Sequence, residues 1–414
     1  MRFELSVSDG EYKVERVEPT IVGAQKVIMS SVFSRATQIY GVSIPERVFK
    51  RIDYERNLMA ATYSFDLYLI HRELIRLSGL KRGLYSYRGC TANSLIAYLI
   101  GLSEFNPIEG DFQLPPEIIF GISKRRKPQL DINVPSSKVT KVREILDKLP
   151  GVGDTIREGR EWGIHPCKML LIPDGFGKAY EWFQITENEE GTEYALVDAP
   201  YAGDVVLGIN VIGDEYLDML AFCENETHFP VADISLSDDD TMLGVTDTDS
   251  YVLWDDVFRI MPEYSIRMKH LMKVCAPKDF MELVRAVGIV YSIEEVYSDI
   301  INRIECGVEG LSDAVSTFED CFEIILKSGI GRGKALYYAD RICCGKAGEV
   351  VEDMLCDGMP ADFIGRFEKM RYISYRGHMM QLALKYWRLA YYMVHFPDVY
   401  MSAVEYCLSD LPEE

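Results

Sequence analysis

The chain has 414 residues, 48% of them hydrophobic and 26% charged, an ordinary globular composition with length for two to three packed units and no need of staples. No apolar run approaches the ~18 residues of a membrane-spanning helix, the first residues lack the apolar stretch of a signal peptide, and ten scattered cysteines without a C-x-x-C pair read as free thiols in a reducing cytosol. Its 44 Lys and Arg stand against 65 Asp and Glu, a net charge of −21, which argues against broad contact with nucleic acid, a polyanion held by cations that release its counterions.

In chain order, residues 20 to about 105 read as helix, with apolar residues at helical spacing over Ala24–Tyr40 and over the longer stretch Asp53–Leu77. Pro107 to Pro116 is a turn-rich break. From about 117 to 260, short β-branched runs alternate with Gly, Asp and Pro, and Met169–Ile172 and Val205–Ile212 have the look of strands bounded by turns. Lys138 to Leu149 fits one amphipathic helix. After Pro262 the helical period returns in Glu263–Val274, Ile293–Ile304 and Gln381–His395. The pattern predicts an α+β chain in three parts: 1–110 a helical lead-in, 111–260 a mixed sheet, and 261–414 a helical unit.

Charge is unevenly placed. Between Lys178 and Arg259 lie 80 residues with no Lys or Arg and 20 Asp or Glu, a block that repels phosphate and suits a solvated acidic surface. Any contact with nucleic acid falls to basic stretches such as Lys124-Arg125-Arg126-Lys127. Aromatic residues at helical spacing near the end, among them Tyr386, Trp387, Tyr391 and Tyr392, read as core.

Several strings carry a resemblance. Tyr87-Arg88-Gly89-Cys90-Thr91-Ala92-Asn93-Ser94 and the apolar run after it form a Gly/Ser turn ahead of a helix, where backbone N–H groups and hydroxyls can cradle phosphate. The string resembles the R-G-S-V-G-S-S palm loop of PolC-type bacterial replicative DNA polymerases. Lys127-Pro128-Gln129-Leu130-Asp131-Ile132-Asn133-Val134 is similar to that family's P-D-I-D-L-N-F strand, Gly163-Ile164-His165-Pro166 to its G-Q-H-P-G-G turn, and Val206–Gly213 to its L-K-L-D-I-L-G strand. Arg376-Gly377-His378 and Arg388–Pro397 resemble its K-A-H and R-I-A-Y-F-K-V-H-Y-P strings. The matches keep their order from about residue 20 to 408.

The resemblance implies a nucleotidyltransferase-like palm, followed by helical fingers, and a two-metal mechanism in which three aspartates hold the ions. Two of the three implied positions are Gln129 and Asn210; Asp131 alone keeps its carboxylate, as the remnant of both the catalytic and the metal-binding set. An amide oxygen brings no charge to Mg²⁺, which prefers carboxylates. Losing several kcal/mol of metal-held stabilisation twice over leaves no useful polymerase, at ~1.4 kcal/mol per tenfold in rate. The implied nucleotide contacts are Arg88, Gly89, Ser94, His165, Arg376 and His378. The 29 residues between Asn133 and Gly163 leave no room for a full thumb, and the family's four-cysteine zinc module is missing.

The expectation is a PolC-like homologue that has lost nucleotidyl transfer and works in the cytoplasm as a replication-related interaction or regulatory protein. Its partner is then a replisome component or another protein, with a nucleotide as a further ligand, and it needs no cofactor. The alternative is a residual Mg²⁺-dependent nucleotidyltransferase in which Asp198, Asp204 or Asp214 assists Asp131. A second alternative is a non-catalytic nucleic-acid binder.

Overall fold

The computed structural model describes residues 2–8, 11–18, 20–109, 114–120, 130–149, 154–160, 163–172, 183–189, 191, 193–197, 207–247 and 252–408. The protein is a mixed α+β structure that divides into two compact units, one built from Met1–Glu109, Pro115–Gly121 and Arg125–Asp214, the other mainly from Glu215–Glu414. The basic run 124–127 and the residues Gln129, Asp198 and Asp204 lie outside the described residues.

The first unit opens with an antiparallel hairpin, β1 (Arg2–Ser8) and β2 (Glu11–Glu18), ahead of the expected helices. Helix α1 spans Ala24–Tyr40, as its spacing predicts, and buries Ala24, Ile28, Val32 and Ala36 on one face. The stretch from 53 to 77 is two helices rather than one: α2 (Glu46–Ala61) and α3 (Phe65–Ser78). Hydroxyls end α2. Thr62 Oγ1 donates to the Leu58 carbonyl at 3.0 Å and pairs with Ser64 Oγ at 2.6 Å, and such side chains compete with the helical ladder. Tyr63 between them takes φ +51°.

The sheet follows. Its seven strands run β3 (Ser86–Tyr87), β4 (Ile132–Pro135), β9 (Leu207–Asp214), β6 (Gly163–Ile172), β5 (Asp154–Arg160), β8 (Glu193–Val197) and β7 (Phe183–Glu187) in spatial order. Strands β4 and β9 are parallel, with Ile132 opposite Val211, while β6 lies antiparallel to β9, with Lys168 opposite Asn210. Two short helices, α4 (Leu95–Leu99) and α5 (Glu117–Phe120), and α6 (Val139–Asp147) complete the unit. Central strands buried on both faces are apolar, and Ile132, Val134, Ile209 and Val211 are fully buried with Leu95, Ile96 and Val142 in one core.

Among the described residues, strand structure stops at Asp214, short of the expected 260. Beyond it lie α7 (Glu215–Thr227), α8 (Asp239–Thr246) and α9 (Val252–Val257). There the helical spacing of the buried Leu217, Leu220 and Glu224 and the Asp238 cap on Thr241 N–H at 2.7 Å outweigh the Asp-rich punctuation. The second unit continues through α10 (Pro262–Val274), α11 (Phe280–Val290), α12 (Glu294–Glu305), α13 (Phe318–Lys327), α14 (Arg332–Cys343), α15 (Val351–Cys356), α16 (Ala361–Lys369), α17 (Arg376–His395) and α18 (Pro397–Leu408). Helix α17 is its axis: Tyr386, Trp387 and Tyr392 are buried, and Trp387 Nε1 and Tyr392 OH donate to the carbonyls of Ser235 and Phe229, both at 2.8 Å. Buried aromatics commonly keep a partner for their polar end. Among the described residues no helix is long and apolar enough to cross a membrane.

Candidate active site

Parallel pairing of β4 with β9 brings Asp131, which immediately precedes β4, beside Asn210. Asn210 Nδ2 donates to Asp131 Oδ1 at 2.9 Å. The reverse amide orientation would set two acceptors against each other, so the N–H toward the carboxylate is the orientation the pair requires. One strand period further, Asn133 Nδ2 donates to Asp214 Oδ2 at 3.2 Å. Residues an even number of positions apart share a face of a strand, so Asp131 and Asn133, two apart, and Asn210 and Asp214, four apart, form two amide–carboxylate rungs across one strand pair. The amide oxygens Asn133 Oδ1 and Asn210 Oδ1 are buried and find no partner among the described residues.

Two cations complete the surroundings. The loop after β3 is tied to the site by Arg88 N–H, which donates to the Asp131 carbonyl at 2.9 Å, and Gly89 turns the chain at φ +68°, a region that favours glycine. The Arg88 side chain is exposed. Lys168 on β6 lies across β9 where Gly208 makes room: a Cβ there would stand 2.5 Å from Lys168 Cε. Burial raises the Asp131 carboxyl above its ordinary value, opposed by hydrogen bonds from the Asn210 side chain and backbone and by the charges of Arg88 and Lys168.

Ser94 is placed differently from its neighbours in the loop. It is fully buried, caps α4 by accepting from Ala97 N–H at 3.0 Å, and donates its hydroxyl to Glu55 Oε2 at 2.8 Å. The same Glu55 carboxylate accepts the N–H groups of Leu95 (2.8 Å) and Ile96 (3.0 Å), and Arg51 pairs with it at 2.5 Å. An internal anion therefore occupies the amides that open α4. Sequence reading missed Glu55 and Arg51; their only signal was the i,i+4 spacing of an ion pair on a helix. The nearness of Lys168 to Asp131 follows from strand register alone.

The other expected contacts divide between the units. Gln129 lies outside the described residues, and His165 is on β6, where only its backbone is described. Arg376 and His378 are in the second unit at the start of α17. Arg376 is 4% exposed and held in an ion cluster: Nη2 meets Asp320 Oδ1 and Nη1 meets Glu323 Oε1, both at 2.8 Å, while its backbone N–H donates to Glu319 Oε2 at 2.7 Å. Asp320 is the hub, also accepting from Arg285 (3.0 Å) and from the N–H groups of Ser316 (3.0 Å) and Thr317 (2.8 Å). Burial works against the Asp320 charge, yet Arg376 and Arg285 hold its carboxyl below the ordinary value. His378 is half-buried, its backbone N–H donating to the Tyr375 carbonyl at 3.0 Å.

Mg²⁺ chemistry asks for converging carboxylates. Among the described residues no three of His, Cys, Asp and Glu converge in a metal-ligating group, and Asp131 faces an amide N–H with two cations nearby. That donor set does not fit a two-ion centre.

Residues 26–157 match the model of the bacterial DNA polymerase III alpha NTPase domain, and the chain is homologous to DNA polymerase III proteins. Within that class it aligns with the PolC type: 93% of the chain is 21% identical to the DNA polymerase III PolC-type protein of Thermotoga petrophila, covering 35% of that relative, with the same figures for Thermotoga maritima. The protein of Caldanaerobacter subterraneus subsp. tengcongensis is 19% identical over 93% of the chain and 34% of its own length. The chain thus spans about a third of the length of the curated relatives it matches.

Proposed function

We propose that this protein is a polymerase III homologue that has lost nucleotidyl transfer and works through contacts with replication proteins in the cytoplasm. One observation carries the reading: the hydrogen bond from Asn210 to Asp131 stands where the resemblance implies two carboxylates joined by metal. Two ionised carboxylates at that separation need a cation or a shared proton between them; an Asn–Asp pair needs neither. The Asn–Asp hydrogen bond forms without an ion, and the mechanism that depends on two divalent ions has no purchase on it. The sequence adds Gln129 at the remaining position.

Nucleotide binding without transfer remains part of the proposal. Arg88 and Lys168 are cations near Asp131, Gly89 and His165 stay proposed contacts of the first unit, and His378 stays a proposed contact of the second unit. Arg376, tied to three carboxylates, and Ser94, tied to Glu55, would serve a nucleotide only by giving up buried bonds.

The test is calorimetric titration with a dNTP and Mg²⁺ or Mn²⁺, beside primer extension, on the wild type and Asp131→Ala. The expected result is no extension and no binding that depends on metal. Metal-dependent nucleotide binding that disappears in Asp131→Ala would favour the residual enzyme instead and overturn the proposal.

A further inference from the structure

Away from the Asp131 site, α1 and α2 leave an open cleft of about 740 Å³ lined by Ile21, Met29, Phe33, Ala60, Tyr63 and Phe65, with Lys26, Arg56 and Asp66 among them. Two of its aromatic residues are turned toward water: Tyr63 is 59% exposed and Phe33 37%, and Phe33 meets Phe49, 51% exposed, with ring centroids 6.2 Å apart. Large apolar groups gathered in one exposed groove mark a binding surface more often than a solvated one. Tyr63 holds φ +51° in the turn where Ser64 N–H closes α2 on the Met59 carbonyl at 3.0 Å, and its ring stands in solvent beside the groove.

The charges say what kind of partner fits. Asp66 is engaged by the Ile21 N–H at 2.6 Å, and Arg56 shares its charge with Asp53 at 2.7 Å across a solvated pair; Lys26 lines the cleft as a second cation. Residues 20–109 carry 11 Lys and Arg against 7 Asp and Glu, in a chain where acids outnumber bases 65 to 44. We propose that the α1–α2 cleft is a docking groove for a short peptide segment of a partner protein, one that offers a Leu or aromatic anchor to Met29, Phe33 and Tyr63 and a carboxylate to Lys26 and Arg56. A single-stranded nucleic acid is disfavoured, because it calls for a track of cations along the backbone and not two beside an apolar floor. The proposal stands whether or not the Asp131 site has lost catalysis.

The experiment selects random 12-residue peptides displayed on phage against the immobilised full chain, then measures the enriched peptides by fluorescence anisotropy. Expected are acidic sequences with an apolar anchor that lose tenfold or more in affinity for the Lys26→Glu, Arg56→Glu double variant and weaken as salt rises. Tyr63→Gly is the control for folding: glycine relaxes the positive φ, so its melting temperature should hold or rise while peptide affinity falls. No enrichment, or peptides that bind the charge-reversed and Tyr63→Gly variants as well as the wild type, would overturn the proposal. So would an oligothymidylate whose binding those variants abolish, which would assign the groove to nucleic acid. A concentration-dependent dimer lost in Tyr63→Gly would assign it to a second copy of the chain, and overturn it equally.

Discussion

Two aspartates, the buried Asp320 of the second unit and the half-buried Asp131 of the first, meet opposite fates. Asp320 is surrounded by two arginines and by donors from Ser316 and Thr317, and its carboxyl is held below the ordinary value. Asp131 has one amide partner and two cations at a distance, and burial lifts its carboxyl above the ordinary value. The Asp320 cluster gives its buried charges partners and so binds the start of α17 to α13. Among the described residues the amide oxygens of Asn210 and of Asn133 on the next rung find no partner, which is unusual for buried polar atoms and fits a site inherited from another task. Buried polarity that is complete serves the fold; buried polarity that is incomplete points to past or present function.

The largest effect should come from the complete cluster. Arg376→Ala takes the guanidinium partner from Asp320 and Glu323, and removing one partner of a buried ion pair costs about 3–5 kcal/mol. Urea unfolding should show that loss, while Asp131→Asn should cost about 1 kcal/mol, as expected for one neutral hydrogen bond. Equal losses at the two positions would break the comparison. Next comes Glu55→Ala, which leaves the Ser94 hydroxyl, the Leu95 and Ile96 N–H groups and Arg51 without their acceptor, for a loss of about 3 kcal/mol. Glu55→Gln, which keeps an acceptor oxygen, should cost less, and the difference between the two isolates the charge.

The third effect depends on pH. His71 is fully buried with Nδ1 paired to Tyr87 OH at 2.9 Å, and burial lowers its value from 6.5 to about 3. In that window the unfolded chain takes up a proton that the folded chain refuses, so stability is complete above about 6.5 and falls with pH toward about 3. Between pH 7 and pH 5 the loss should be about 2 kcal/mol. His71→Leu should flatten the dependence measured by chemical denaturation; an unchanged slope would remove His71 as its source. The smallest effect is at Gly208→Ala, where the new methyl displaces Lys168 Cε at a cost of about 1 kcal/mol or less, since the end of a Lys side chain moves easily. Carbonyl-carbon NMR should then find Asp131 titrating higher, because a cation that lowered it has moved away.

Much of the fold was legible from the sequence where periods ran long: α1, α6, α10 and α12 lie within a residue or two of their apolar spacing. Two features hid from it. The break at Thr62 is made by hydroxyls that bond locally, a competition that hydrophobic period does not register. Helices α7 and α8 sit in an acidic stretch whose Asp residues read as turns, although Asp238 in fact caps a helix. For the candidate site, Asp131 and Asn210 were legible because strand strings place them. Their partners were not. The Asn133–Asp214 rung and the approach of Lys168 come from register between strands distant in sequence, and the engagement of Arg376 by Asp320, Glu319 and Glu323 comes from tertiary packing that no single segment encodes.

The central claim is that Asn210 closes Asp131 to divalent metal, and Mn²⁺ binding followed by electron paramagnetic resonance tests it most directly. The wild type should hold no Mn²⁺ beyond weak surface sites, and the double variant Gln129→Asp, Asn210→Asp should gain at least one bound ion that Asp131→Ala removes. Wild-type protein that binds Mn²⁺ through Asp131, with affinity lost in Asp131→Ala, would contradict the account.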